Sequence, residues 1–462
     1  MKSRPINFVI WGFRMEHHQI NMVSRRLKRV LGKRALNDLG RATRFCRRER
    51  EITPFRLAVS LIESFSGHSA NCIADIQRAF NALCSTKVRY KPFHNQLAKK
   101  QFPLFMQALL SELLNNLASE VLRFEPDSPF AQFDHIRIQD GTSFALKPTL
   151  AGTFPGRFTK LSPAAVELHA DLDLFSETVN RIVLSPDSSA ERQFLPPVES
   201  VVGGLLLADR GYFERPYFET LDIAGGHFIV RAGQLINPLI HEARQTNGQR
   251  VKCLERQRLK EVLPKIKRFD CLDMVVQFDG LNGPWLCRLV IHPNLKKGAA
   301  PRYLITNLDA DTFNAEHISA AYRLRWQVEL LFKEWKSYSG YPVADANLRA
   351  FDTASGYPVA DNPHIAEGLI WAALCAATLN RYCAHATERI FNVAMSTHTV
   401  AKCLHHVLPT VLRTLIHRPK ALKQPLQRAL RYLADNATRA KPERDKKSGR
   451  LKLGLVHIHV SA

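Results

Sequence analysis

The chain of 462 residues is long enough for several domains with real cores, and its 45% apolar content is that of a globular protein rather than a disordered one. Its 65 Lys and Arg against 42 Asp and Glu leave a formal charge of +23, which points to a polyanionic partner, nucleic acid first and an anionic membrane surface second. The most apolar run, GLIWAALCAATL from Gly368, is too short to span a bilayer, and no signal peptide opens the chain, so a soluble, cytoplasmic protein is expected. The nine cysteines form no CxxC pair and read as reduced, mostly buried thiols.

Residues 1–125 read as a helical module. Thr53 is placed to cap a helix with Pro54 in its first position and Gly67 at its end, and a second helix is expected from Ser69, giving a helix-turn-helix-like pair. Residues 1–50 hold 14 Lys or Arg against 3 acids, the composition of a DNA-binding module. A merely basic, soluble surface is the competing reading.

From about residue 126 the pattern turns to strands. FDHIRIQD ends at Asp140, and AVELHADLDLF alternates Val166, Leu168, Ala170, Leu172 and Leu174 against polar neighbours. VNRIVLSP completes an antiparallel meander, and a short helix is expected near 189–196. VVGGLLLADRGYF is a continuous apolar strand of the buried, parallel kind that delivers Asp209, and HFIVRA (227–232) adds another strand. The order β-β-β-α-β-α-β predicts an α/β, RNase H-like core. Residues 233–306 read as a β-rich insertion with a basic first part, residues 307–390 as the second part of the core, and 391–462 as a helical region ending in a basic, disordered tail. SGYPVAD occurs at 339–345 and again at 355–361, two copies that are too few for a solenoid and read as a locally duplicated loop.

The segment YRLRWQVELLFKEWK, from Tyr322 to Lys336, belongs to a helix expected to begin near Thr312. On a helical wheel Tyr322, Arg325, Glu329 and Lys336 share an arc of about 60°, with Trp326 and Lys333 beside it. Leu324, Val328, Leu331, Phe332 and Trp335 gather on the other side. A solvated face of i,i+4 ion pairs would look the same, so the carboxylate acquires meaning only through partners. Asp140 and Asp209, each at a strand end, are those partners. Three carboxylates can hold two magnesium ions about 3.5–4 Å apart for in-line phosphoryl transfer, because magnesium prefers hard oxygen ligands. Asp171 and Asp173 are expected to face solvent, and Asp309 and Asp311 to cap the long helix.

QDGT around Asp140, ADRGYF around Asp209 and the Tyr-(2)-Arg-(3)-Glu-(6)-Lys spacing resemble the signature blocks of DDE transposases of insertion-sequence family four, whose helical motif is called YREK. The resemblance covers nearly the whole chain. It implies that Asp140, Asp209 and Glu329 are the catalytic metal ligands, for Mg2+ with Mn2+ as a substitute. It implies that Tyr322, Arg325 and Lys336, with Lys333 beside them, grip phosphates of the element's end. Tyr303, in PRYLITNL, stands where relatives carry an aromatic that stacks on a displaced base, although a core strand Tyr would look the same. The implied activity is cut-and-paste transposition on duplex DNA by a paired-end homodimer in a bacterial, nucleoid-associated setting, with a hairpin intermediate on the ends. An inactive end-binding protein, or an RNase H-like nuclease without strand transfer, are the alternatives.

Overall fold

The structure is a computed structural model, and it describes residues 6–66, 72–117, 122–266, 268–281, 283–292, 301–338, 361–439 and 453–457. Both copies of SGYPVAD lie outside these residues except Asp361, so the duplication has no structural account.

Six helices come first: α1 (Ile6–Leu31), α2 (Lys33–Ala42), α3 (Pro54–Ser66), α4 (Ile73–Cys84), α5 (Tyr90–Leu97) and α6 (Gln101–Leu117). Thr53 Oγ1 accepts the Arg56 amide at 3.2 Å, and Pro54 holds the first position of α3, where its missing N–H costs nothing. Every residue of α3 is buried except Arg56 and Glu63, because α2, α4 and two later helices, α11 (Pro363–Phe391) and α12 (Thr397–His417), enclose it. A helix surrounded in this way is a core strut and presents no reading face to DNA. α4 begins at Ile73, with the Asp75 carboxylate accepting the Cys72 amide at 3.1 Å, and the expected helix end at Gly67 and start at Ser69 lie outside the described residues. α11 also packs along α6, and α13 (Lys423–Asn436) closes against α11, α12 and α1. The amino- and carboxyl-terminal helices therefore form one body. Leu57, Leu61, Phe105 and Leu109 share a continuous apolar core with Trp371, Leu408 and Leu430.

A nine-stranded sheet lies against this body. β2 (Ile136–Ala145), β3 (Ala165–Asp173) and β4 (Thr178–Pro186) form the expected meander, preceded by β1 (Leu122–Phe124). β5 (Leu205–Ala208) and β6 (His227–Ala232), separated by α7 (Arg215–Ile223), run parallel to β2. Two 3-10 turns, Glu191–Phe194 and Val198–Ser200, replace the short helix expected near 189–196. β7 (Leu239–Gln245), β8 (Leu272–Asp279), β9 (Pro284–His292) and β10 (Arg302–Thr306) do not fold apart: the sheet order is β4-β3-β2-β5-β6-β10-β9-β8-β7. β10 pairs antiparallel with β6, so the strands from the insertion widen the central sheet.

β5 is buried on both faces. Leu205 and Leu207 join the core shared with the helical body, and Leu206 and Ala208 join a second core formed with β6 to β10, α7 and α8 (Leu259–Ile266). This is the physical reason for its unbroken apolar run. β7 and α8 lie in the basic stretch, where Ile240, Ala243, Leu259, Val262 and Ile266 are buried among charged neighbours. Asp171 does not face solvent: it is buried, and Arg137 Nε donates to its Oδ1 at 3.0 Å. Asp173 Oδ1 accepts the Ser176 amide in the hairpin turn. β11 (Leu455–His457) pairs antiparallel with β1, so these three residues are docked strand, while residues 440–452 and 458–462 of the expected basic tail lie outside the described residues. The nine cysteines are free thiols, six of them buried.

Candidate active site

Two adjacent parallel strands deliver the first two acids. Gln139 of β2 is level with Ala208, the last residue of β5, and Asp140 and Asp209 follow one step beyond. Ile136 and Ile138 face the helical core, and strand alternation puts Asp140 on that same side. Asp209 caps the 3-10 turn Arg210–Tyr212, its carbonyl accepting the Tyr212 amide at 3.1 Å.

The third acid comes from two helices rather than one. α9 (Ala315–Leu324) starts at Ala315, where the side chain of Asn314 accepts the His317 amide at 2.9 Å, and Asp309 instead accepts the Thr312 amide in the preceding turn. The helix breaks at Arg325 and resumes as α10 (Trp326–Tyr338). Arg325 donates its amide to the Tyr322 carbonyl at 3.1 Å, and its own carbonyl accepts from Val328 at 3.2 Å, a tighter turn than the α-helix makes. Leu324, Val328, Leu331, Phe332 and Trp335 are all buried, as the wheel predicts, and they anchor the pair of helices.

The opposite side faces the strand ends. The Tyr322 hydroxyl donates to Asp209 Oδ1 at 2.8 Å. Arg325 Nη1 pairs with Asp140 Oδ2, and Nη2 donates to Glu329 Oε1 at 3.1 Å. Arg231, on β6, stands 3.9 Å from Asp209 Oδ1. Tyr322, Arg325 and the three acids are thus one connected cluster.

Its electrostatics follow from that crowding. Burial first, and then the neighbouring charges of Asp209 and Glu329, push the Asp140 carboxyl up to about 7 against the opposing pull of Arg325 and the Gly141 amide. Three acids in one half-buried place ask for a cation. Hard carboxylate oxygens suit a divalent ion such as magnesium, yet among the described residues no three His, Cys, Asp or Glu side chains stand close enough to hold one ion as the chain is folded. The guanidinium of Arg325 bridges two of the three acids, and the three carboxylates supply the hard oxygen donors a divalent ion prefers. Asp140, Asp209 and Glu329 are the residues that could hold it.

The remaining expected contacts divide. Lys333 is exposed on α10 beside Glu329, and Trp326 is 57% exposed. Lys336 lies on α10, with its side chain outside the described residues. Tyr303 is only 3% exposed, inside the second core on the strand between β6 and β9, and its ring is not available to a base there.

A further polar layer behind β2 escaped the sequence reading. His169 Nδ1 lies 2.7 Å from the Tyr212 hydroxyl and its Nε2 3.0 Å from Ser185 Oγ, while Arg157 Nη2 donates to Glu167 at 3.1 Å. Gly141 is pressed onto this layer: a Cβ there would fall 2.6 Å from Glu167 Oε1 and 2.9 Å from the Tyr212 hydroxyl, so any other residue would require these buried side chains to shift. Tyr212 belongs to the turn that Asp209 caps, so the layer braces both strand ends from below. The period-two series Glu167, His169, Asp171 was the available signal.

Residues 131–342 match the family model of the transposase DDE domain, a region that contains all three acids. The chain is similar to the transposase for insertion sequence element IS231E of Bacillus thuringiensis subsp. finitimus, with 22% identity over 69% of this chain and 73% of that protein. It is similar to the IS231F transposase of Bacillus thuringiensis subsp. israelensis, with 23% identity over 67% and 72%, and to the IS1151 transposase of Clostridium perfringens, with 19% over 69% and 74%. These likenesses support a transposase of the DDE class.

Proposed function

We propose that the protein is the DDE transposase of an insertion sequence, of the YREK kind, which binds the element's terminal inverted repeats, cleaves there and joins the freed 3′-hydroxyls to target DNA. The observation that carries this reading is the single cluster formed by Asp140, Asp209, Glu329, Tyr322 and Arg325 from two strand ends and a kinked helix pair. The β4-β3-β2-β5-β6 half of the sheet, with its antiparallel meander followed by two parallel strands, supports an RNase H-like core.

Asp140, Asp209 and Glu329 would hold two Mg2+ ions, or Mn2+ in their place. Such ions supply Lewis-acid stabilisation to the attacking and leaving oxygens of an in-line phosphoryl transfer. The chain's own part is orientation: Arg325, Tyr322 and Lys333 would meet the substrate's phosphates, with Lys336 assigned to the same task from its place in the sequence motif, and a guanidinium can take a phosphate in a bidentate fork.

DNA binding away from the acids has a second support. A cleft of about 1010 Å³ on the helical body is lined by Arg44, Arg47, Arg48, Arg50, Lys87 and Arg89, with Glu51 as its one acid. Like charges gathered in a concave surface focus the field on a polyanion. We assign this cleft to duplex DNA, in a homodimer that pairs two ends. No described helix is long and apolar enough to cross a membrane, which agrees with a cytoplasmic, nucleoid-associated protein.

The test is a supercoiled plasmid carrying the inverted repeats, incubated with protein and Mg2+. Nicks at the repeat ends and a joined product are expected, and Glu329→Gln should abolish both while end binding in a gel shift persists. Cleavage without any joined product would reduce the reading to a nuclease, and end binding that no metal converts to cleavage would reduce it to an inactive binder.

A further inference from the structure

We propose that Arg325 makes divalent-metal binding at the acid cluster conditional on DNA: its guanidinium occupies the carboxylate oxygens a metal needs, and a DNA phosphate is the group that draws it away. The inference rests on the reading of Asp140, Asp209 and Glu329 as metal ligands.

Four observations carry it. The Arg325 side chain is 14% exposed and reaches both Asp140 and Glu329 from the break between α9 and α10. Asp140 is itself nearly enclosed, so this contact is poorly screened by water. The guanidinium carbon lies 5.6 Å from the centre of the Tyr322 ring, whose hydroxyl at the same time holds Asp209. Finally, Arg325 Nε is buried and has no hydrogen-bond partner among the described residues.

In this arrangement the arginine does a cation's work. Its two terminal nitrogens use lone pairs on Asp140 Oδ2 and Glu329 Oε1, the oxygens a shared metal would take, and its positive charge repels a second cation at that distance. A metal entering the DNA-free chain must first displace it. Its apparent affinity is then reduced by the fraction of molecules in which Arg325 has already left. A buried donor left unpaired is also costly, and the guanidinium with its orphaned Nε is therefore not in its best possible environment.

A phosphodiester supplies what the carboxylates do not. Its two non-bridging oxygens match the guanidinium fork, and turning Arg325 onto a phosphate lets Nε pair as well. The move leaves Asp140 and Glu329 uncompensated beside Asp209, which strengthens the site's demand for a divalent ion. By thermodynamic reciprocity, metal must then tighten DNA binding by the same factor. The consequence is a nuclease centre that takes its metal more readily once its substrate is bound, which restrains cutting of DNA that has not been properly seated.

DNA could raise metal affinity merely by offering phosphate oxygens as ligands, so the decisive arm contains no DNA. Mn2+ binding to the full-length protein would be followed by electron paramagnetic resonance, with and without a duplex carrying one terminal inverted repeat in its already cleaved form. Wild type, Arg325→Gln, Arg325→Ala and Asp209→Asn would be compared, with melting temperatures to show that each variant folds. For the wild type, DNA should tighten Mn2+ binding by about 10-fold or more. In Arg325→Gln, which keeps the packing without the charge, the DNA-free affinity itself should rise by about 10-fold and the further gain from DNA should shrink. Asp209→Asn should lose the ion in either state. A DNA-free affinity that is the same in wild type and both Arg325 variants would overturn the coupling while leaving the metal ligands intact. Absence of Mn2+ binding in every protein, with DNA present, would overturn the metal-ligand reading itself.

Discussion

The Tyr322 hydroxyl donates to Asp209 Oδ1 at 2.8 Å, so a residue on the last turn of α9 holds an acid at the end of β5. Together with the Arg325–Asp140 pair, that contact ties the helix pair to the sheet at the acid cluster. Tyr322→Phe keeps the ring beside Arg325 and removes only the donor. Because Asp209 is partly open to water, the expected loss in unfolding free energy is small, about 0.5–1.5 kcal/mol, while cleavage at the repeat ends should slow markedly. Thermal melts and a cleavage time course measure the two effects, and an unchanged cleavage rate would mean that the contact is not needed at the centre.

The basic cleft on the helical body makes a separate prediction. If Arg48 and Arg50 each neutralise a phosphate of duplex DNA, replacing one by alanine should lower the slope of log affinity against log salt by about 0.9, and replacing both by about twice that. Cleavage of DNA supplied at saturating concentration should be little changed. Salt titrations of end-DNA binding decide it, and slopes equal to that of the wild type would remove the cleft from the DNA path.

Tyr303 supplies a contrast. Its ring belongs to the core between β6 and β9, so Tyr303→Ala should destabilise the protein by about 3–5 kcal/mol, the range of large aromatic truncations, whereas Tyr303→Phe should leave both stability and DNA cleavage near wild type. Denaturant unfolding and the plasmid assay measure these. Impaired strand joining by a fully stable Tyr303→Phe would restore a DNA-contacting role.

Much of this architecture could be read from local pattern. β6 spans the residues expected from the run HFIVRA, and the apolar side of the α9–α10 pair is the one the wheel places in the core. What escaped was set by distant partners. Asp171 occupies a polar position of its strand, and nothing nearby in the chain announces that Arg137, on the neighbouring strand, will bury and neutralise it. The break at Arg325 is likewise invisible to helix propensity, since Arg and Trp both continue helices readily. At the break Arg325 reaches Asp140 while Val328 and Leu331 stay in the core. Tyr303 reads equally as a strand core residue and as an exposed aromatic until β6 and β9 are seen on either side of it.

The layer behind β2 predicts a pH dependence. Burial, with Glu191 nearby, pushes Glu167 up to about 7, so between the ordinary carboxyl range and that value the folded chain holds more protons than the unfolded one. Its contribution is therefore fully present at low pH and is lost as pH rises through about 7. His169, pulled down to about 4 by burial and by Arg157, acts in the opposite sense, with stability lost as pH falls from the ordinary imidazole value towards 4. Glu167→Gln should relieve the first effect and stabilise the protein more at pH 8 than at pH 5, by a difference of about 1–3 kcal/mol. Urea unfolding at the two pH values checks it, and a greater gain at pH 5 would reverse the assignment.

The role of this centre turns on whether the three carboxylates hold the metal. The most direct measurement is anomalous diffraction from crystals of the full chain bound to an end duplex and grown with Mn2+. Anomalous peaks should lie within direct coordination distance of Asp140, Asp209 and Glu329, with Arg325 turned away from Asp140 and onto a phosphate. Peaks bound elsewhere on the chain, with Arg325 still bridging Asp140 and Glu329 in the presence of metal and DNA, would contradict it.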